Sequence, residues 1–217
     1  MCNYMNRAVI VASGYMQNYS LFQQEILPSD TVICADGGIR HLIALQRKPD
    51  IFFGDFDSCD YDEIVSHPLM EGVPIKRFHC MKDKTDTELA IDYALSEGYS
   101  SLLLLGVTGT RLDQTLASIS LLKKIHQQGA EGVILDDHNC ILLVCNQAEI
   151  PHMEGYRLSL LALTPQVEGL STEGLLYPLE NFTLEYGSSR GISNEFIAET
   201  AKIKITNGLL LVVMSKD

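Results

Sequence analysis

The chain has 217 residues, 46 % of them hydrophobic and 20 % charged, with a formal net charge of −12. That length allows one large domain or two modest ones, each with a core. Acidity of this size argues against sequence-independent binding to nucleic acid or to an anionic membrane, and a phosphorylated ligand would need the local field inverted, as a metal ion does. The six cysteines (Cys2, Cys34, Cys59, Cys80, Cys140, Cys145) form no C-x-x-C pair and the six histidines are scattered, so no zinc site is expected. Thiols inside apolar runs such as TVICAD and ILLVCN behave as small hydrophobes, which reads as a reduced, cytoplasmic protein. The N-terminal MCNYMNRAVIVASG has no long apolar segment, and no run approaches the ~18 residues of a membrane span.

In chain order, RAVIVA (7–12) reads as a buried strand followed by Ser13-Gly14, and a helical stretch then ends near Pro28. TVICA (31–35) is a second strand, followed by Asp36-Gly37-Gly38 and a helix over 39–48. DIFF (50–53) and VPIKRF (73–78) are the third and fourth strands. TDTELAIDYALSEG (85–98) reads as a helix with Thr85 and Glu88 in capping-box spacing and Gly98 as its stop. SLLLLG (101–106) is a fifth strand. Residues 112–129 form a helix with Leu112, Leu116, Ile119, Leu122 and Ile125 on one stripe, and GVILDD (132–137) is a sixth strand.

Short Val/Ile/Leu runs separated by helices predict an α/β fold: a mostly parallel, Rossmann-like sheet covered by helices on both faces. The pattern changes near residue 140. YRLSLLAL, FTLEY, FIAETAKIKIT and LLLVVMS are strand-like and punctuated by Gly, Pro and Asn, which predicts a small all-β sandwich. The expected domains are 1–145 and 146–217. The second is small enough that its core should be thin and lean on a partner surface.

In an open parallel sheet, ligands bind beyond the carboxyl ends of the strands. Here those ends are acidic. Strand two ends in Asp36-Gly37-Gly38, strand three in Gly54-Asp55-Phe56-Asp57-Ser58, strand four is followed by Asp83-Lys84-Thr85-Asp86, and strand five ends in GVTGTRLD, Gly106 to Asp113. One such loop is ordinary turn chemistry. Four on one edge would repel unless they share a cation, and all-oxygen ligands suit Mg²⁺ or Mn²⁺. In GVTGTRLD two glycines allow close approach of backbone N–H groups to a phosphate, Arg111 offers a fork, and the following helix adds its positive end. No G-K-[ST] follows, so this is not a Walker A loop. Beside the carboxylates it suggests a nucleoside triphosphate with Mg²⁺. GSSRGISNEF (187–196) reads either as a hairpin turn or as a polar rim for a second substrate.

Taken in order, ADGG, GDFDS, DKTDTELA, GVTGTRLDQTLA and GISNEF closely resemble the thiamine pyrophosphokinase family over both domains. The resemblance implies a catalytic α/β domain followed by a thiamine-binding and dimerisation β-sandwich. It also implies a homodimer with active sites at the subunit interface, and conversion of ATP and thiamine to thiamine diphosphate and AMP. Motif by motif, it places metal at Asp55, Asp57 and Asp86, with Asp83 beside the third position, and an acidic group near the reacting hydroxyl at Asp36. It places the nucleotide at Thr85, Gly106, Thr108, Gly109, Arg111 and Asp113, and thiamine at Ser193 and Asn194. Lys84 either adds positive charge or faces solvent. The sequence departs from the family's frequent G-G-R-L-D-H at Thr110 and Gln114. It has no Trp, so any ring stacked on thiamine comes from Phe, Tyr or His.

Two other readings fit parts of this pattern. A D-x-D after a strand also occurs in haloacid-dehalogenase-type phosphotransferases, where Asp55 would be the nucleophile and ILDD the late acidic motif. That reading leaves GVTGTRLD without a role. A non-catalytic module that binds Mg-nucleotide is the other.

Overall fold

The computed structural model describes residues 6–54, 66–77 and 84–217. The chain divides into two compact units, Met1–Asp137 and His138–Asp217.

In the first unit, β1 (Arg7–Val11), β2 (Thr31–Ala35), β3 (Ile51–Gly54), β4 (Ile75–Arg77), β5 (Ser101–Leu105) and β6 (Glu131–Leu135) stand in the order 4-3-2-1-5-6. Each neighbouring pair is parallel, in registers such as Val9↔Val32 and Val9↔Leu103. The central strands are buried almost end to end, as their apolar runs require. The strand order reverses between β1 and β5, and a ligand cleft is expected beyond the carboxyl ends at that reversal.

The described helices are α1 (Tyr19–Glu25), α2 (Ile39–Ala44), α3 (Asp86–Ser96) and α4 (Leu112–Gln127). Thr85 caps α3 as its spacing implies, its side chain accepting from the Glu88 N–H at 3.2 Å. α3 buries Ala90, Ile91 and Ala94 against the sheet, with the Tyr93 ring 5.0 Å from that of Phe53. α2 is shorter than the 39–48 read from the sequence. It closes at Leu45, and Gln46 takes a left-handed φ of 51°.

The stripe expected on α4 is only half realised. Leu122 and Ile125 are buried, while Leu112 is 67 % and Leu116 55 % exposed. The buried half lies over β6 at Gly132, where an added Cβ would come within 2.9 Å of both Leu122 and Ile125. Gly132 thus lets the last turns of the helix settle onto the strand. The first turns have no such seat.

The second unit is all β. β7 (Asn139–Val144), β9 (Arg157–Ala162) and β13 (Leu210–Ser215) form an antiparallel sheet in the order 7-13-9. β8 (Gln147–Pro151), β10 (Gln166–Glu173), β11 (Phe182–Glu185) and β12 (Thr200–Lys204) form a second, in the order 11-10-12-8. Both supply alternate side chains to one core, including Leu158, Leu160, Leu210 and Val212 from the first and Val167, Leu170, Leu184 and Ala201 from the second. The compact units part earlier than the 145/146 boundary read from the sequence, because β7 pairs with β13 along its whole length.

Candidate active site

A cleft of about 500 Å³ opens where the strand order reverses. Its lining comes from the loop after β1 (Ser13, Gly14, Tyr15), from Arg40, Thr87, Gln114 and Ser118, and from Gly106 to Arg111 after β5. The two loops are zipped together. Ala12 N–H donates to Leu105 O at 2.9 Å, Gly14 N–H to Gly106 O at 2.5 Å and Tyr15 N–H to Thr108 O at 2.8 Å. Approach this close demands glycine: a Cβ on Gly14 would strike the carbonyls of Thr108 and Gly106. Gly106 has φ +64°, and a Cβ there would strike Ala12 O.

Buried groups brace both loops from behind. Asp136, just past β6, accepts the Thr108 hydroxyl at 2.7 Å. Asp137 accepts Gln17 N–H at 3.0 Å and Asn18 N–H at 2.5 Å. ILDD therefore acts as a clamp on the cleft loops. His41, 5 % exposed, has Nε2 2.8 Å from Gly14 O and Nδ1 2.8 Å from the Tyr19 hydroxyl. A carbonyl only accepts, so Nε2 carries the proton and Nδ1 accepts from Tyr19. Burial lowers the His41 pKa; the bond to Gly14 pulls the other way and the nearby Arg40 charge lowers it further.

Of the residues expected from sequence, Gly106, Thr108, Gly109 and Arg111 line this one cleft. The Gly109 N–H is already donated to Thr115 Oγ1 at 3.2 Å. Arg111 is exposed and forks onto Asp113, with Nη2 2.5 Å from Oδ2 and Nε 3.3 Å from Oδ1. That bond raises the Arg111 pKa and holds the Asp113 carboxyl below its ordinary range. Thr85 caps α3 and Asp86 is its first residue, immediately before the cleft-lining Thr87. Lys84 is exposed to solvent, lies outside the cleft lining, and pairs its ammonium with Asp92 at 2.7 Å. Lys124 bridges Asp92 and Glu88, tying α4 to α3. Burial pushes the Asp92 pKa up, but the hydrogen bonds from Lys124 and Lys84 win and lower it.

Asp36 begins the turn after β2 and has φ +46°, a left-handed backbone that favours glycine. Holding a non-glycine there costs on the order of 1 kcal/mol and is common at working sites. Asp55, Asp57 and Asp83 lie outside the described residues. Among the described residues no cluster of three or more His, Cys, Asp or Glu stands ready for a metal.

In the second unit Ser193 has φ +58°, and its N–H donates to Ser159 Oγ at 3.0 Å. Asn194 is 7 % exposed and largely committed to the fold. Its carbonyl accepts Tyr177 N–H at 3.0 Å and Glu195 N–H at 2.9 Å, and its amide donates to Tyr177 O at 2.8 Å. Ser13, Tyr15, Arg40 and Thr87 were not singled out from sequence. The available signal was position, since each lies within a few residues of a strand's carboxyl end or a helix start.

Among the described residues, no helix is long and apolar enough to cross a membrane. The family model for the thiamin pyrophosphokinase catalytic domain matches residues 22–134, and that for the thiamin pyrophosphokinase vitamin B1 binding domain matches residues 146–210. The chain is 29 % identical over 208 residues to the thiamine pyrophosphokinase of Bacillus subtilis, covering 94 % of this chain and 92 % of that one. It superposes on a crystal structure of thiamine pyrophosphokinase from Bacillus subtilis with a TM-score of 0.87, at 27 % identity, over 97 % of this chain and 99 % of that one. On thiamin pyrophosphokinase from Geobacillus thermodenitrificans the TM-score is 0.83, at 26 % identity, over 97 % and 98 %. The haloacid-dehalogenase reading of Asp55 and ILDD gives way to these matches. With a glycine-loop cleft at the strand-order reversal, a β-sandwich behind it in the chain, and family matches in the same order, the chain belongs to the thiamin pyrophosphokinase family of enzymes.

Proposed function

We propose that the chain transfers a pyrophosphoryl group from ATP to the hydroxyl of thiamine, giving thiamine diphosphate and AMP. The observation that carries this reading is the cleft at the strand-order reversal, closed by the Gly106–Arg111 loop in a chain that matches the family in both its parts. In the reaction the thiamine oxygen bonds to the β-phosphorus, the bridging bond between the α- and β-phosphates breaks, and AMP leaves with the bridging oxygen. The hydroxyl proton passes to a carboxylate, for which Asp36 and Asp83 are the candidates.

Asp55, Asp57 and Asp86 offer only carboxylate oxygens, a donor set that fits Mg²⁺. Held by them, the ion would offset the charge of the phosphate oxygens. Thr85, Gly106, Thr108, Gly109, Arg111 and Asp113 are assigned to the nucleotide. For Arg111 this means exchanging Asp113 for phosphate oxygens or sharing itself between them. Ser193 and Asn194 are assigned to thiamine. Because Asn194 makes three of its four possible hydrogen bonds within the fold, its part is to shape the loop, and Ser193 is the better direct contact. The enzyme works as a homodimer in the reduced cytoplasm. Tyr177, Tyr186 and Ile197 of the second unit, each at least 66 % exposed, supply apolar surface for such an assembly.

The test is AMP release from Mg-ATP with and without thiamine, read by chromatography. Equimolar AMP and thiamine diphosphate are expected. ADP or free phosphate as product, or turnover indifferent to thiamine, would overturn the assignment.

A further inference from the structure

The described residues lining the cleft include two cations, Arg40 and Arg111. They are not equivalent. Arg111 is gripped at both ends of its fork by Asp113, so its charge is offset within its own loop. Arg40, in the first turn of α2, meets no carboxylate among the described residues. The partner of its guanidinium is the Ser13 carbonyl, which takes a hydrogen bond from Nη2. That bond places the guanidinium beside the loop after β1, and among the described residues it is the side-chain hydrogen bond made by its five donors.

We infer that Arg40 binds phosphate oxygens of the nucleotide. This rests on the pyrophosphokinase reading of the same cleft. The chain carries a net charge of −12, and among the described residues Asp36 begins the turn after β2 and Asp86 opens α3. A polyanion entering an acidic chain is favoured by fixed positive charge at its oxygens. Among the described residues, Arg40 is the lining cation that makes no ion pair, so it provides that charge without giving up a carboxylate there. A planar guanidinium presents its donors as a fork that matches phosphate oxygens. The sequence context agrees: Arg40 follows Asp36-Gly37-Gly38 directly, so the group assigned to the acceptor hydroxyl and the group assigned to phosphate leave β2 on the same turn.

The rival explanation is that Arg40 only tethers the Ser13 loop. Calorimetric titration of wild type, Arg40→Ala and Arg40→Lys with Mg-ATP and with adenosine separates the two. A phosphate contact predicts that Arg40→Ala weakens ATP by about 10- to 100-fold, the range for a charge-assisted pair, and leaves adenosine within about twofold of wild type. Arg40→Lys, which keeps charge without the fork, falls between. Equal weakening of ATP and adenosine would show a tether and overturn the inference. So would an Arg40→Ala protein that binds ATP like wild type, and in that case the pyrophosphokinase reading stands. Wild type that does not bind ATP at all would overturn both.

Discussion

Gly14 is the point at which the cleft is most exposed to a single methyl group. A Cβ there would meet the carbonyl oxygens of Thr108 and Gly106, and both are backbone atoms held in a paired loop. Neither can swing aside as a side chain would. In Gly14→Ala the loops must therefore part, breaking the bonds from Gly14 N–H to Gly106 O (2.5 Å) and from Tyr15 N–H to Thr108 O (2.8 Å). At about 1 kcal/mol net for each bond, plus about 1–3 kcal/mol for forced overpacking, the loss is about 3–5 kcal/mol. For a unit of this size that corresponds to a Tm lower by roughly 10–17 °C. The damage sits at the mouth of the sheet, so the far-UV circular dichroism at low temperature should match wild type while ATP affinity falls. Thermal melts followed by circular dichroism, paired with ATP titration, make the check. A Tm within about 2 °C of wild type together with unchanged ATP affinity would refute the account of how the two loops are joined.

Three further outcomes are expected. Burial lowers the His41 pKa below the ordinary 6.5, so its contribution to stability is complete above pH 6.5 and is lost as the pH falls from there through the lowered folded value. Urea midpoints at pH 7.5 and 5.5 should differ more for wild type than for His41→Asn, and equal differences would count against the buried neutral imidazole. Thr108→Val removes the hydroxyl donor from buried Asp136 and should lower unfolding free energy by about 1–3 kcal/mol in urea titrations; an unaltered midpoint would mean the clamp carries no energy. Asp57→Asn should abolish turnover with the melting curve unchanged, as should chelation of Mg²⁺ by EDTA until the metal is restored. Full activity of Asp57→Asn at ordinary Mg²⁺ would remove the metal role.

Much of this molecule was legible in the residues alone. Parallel strands buried on both faces need unbroken Val, Ile and Leu, so β1, β2 and β5 stand where TVICA and its neighbours suggested. The Thr85 cap, with Glu88 three residues on, is likewise a local pattern. Two strands of the second unit escaped notice for equally local reasons. β10 shifts register between Val167 and Leu170, at Gly169 with φ +64°, so its alternation is interrupted. β8 is a polar edge strand that ends on Pro151. What only tertiary structure decided depends on partners remote in the chain. Whether Leu112 and Leu116 are buried turned on what lies opposite the first turns of α4, not on the spacing of its leucines. Asp136 and Asp137 read as the end of a sixth strand, or in the haloacid-dehalogenase alternative as its late acidic motif, until the fold brought them to Thr108, 28 residues away, and to Asn18, 119 residues away. That Arg111 and Arg40 line one cleft, with Arg111 gripped by Asp113, is likewise a matter of the fold. Periodicity and turn chemistry are properties of neighbours along the chain. Burial, clamping and the freedom of a charge are properties of neighbours in space.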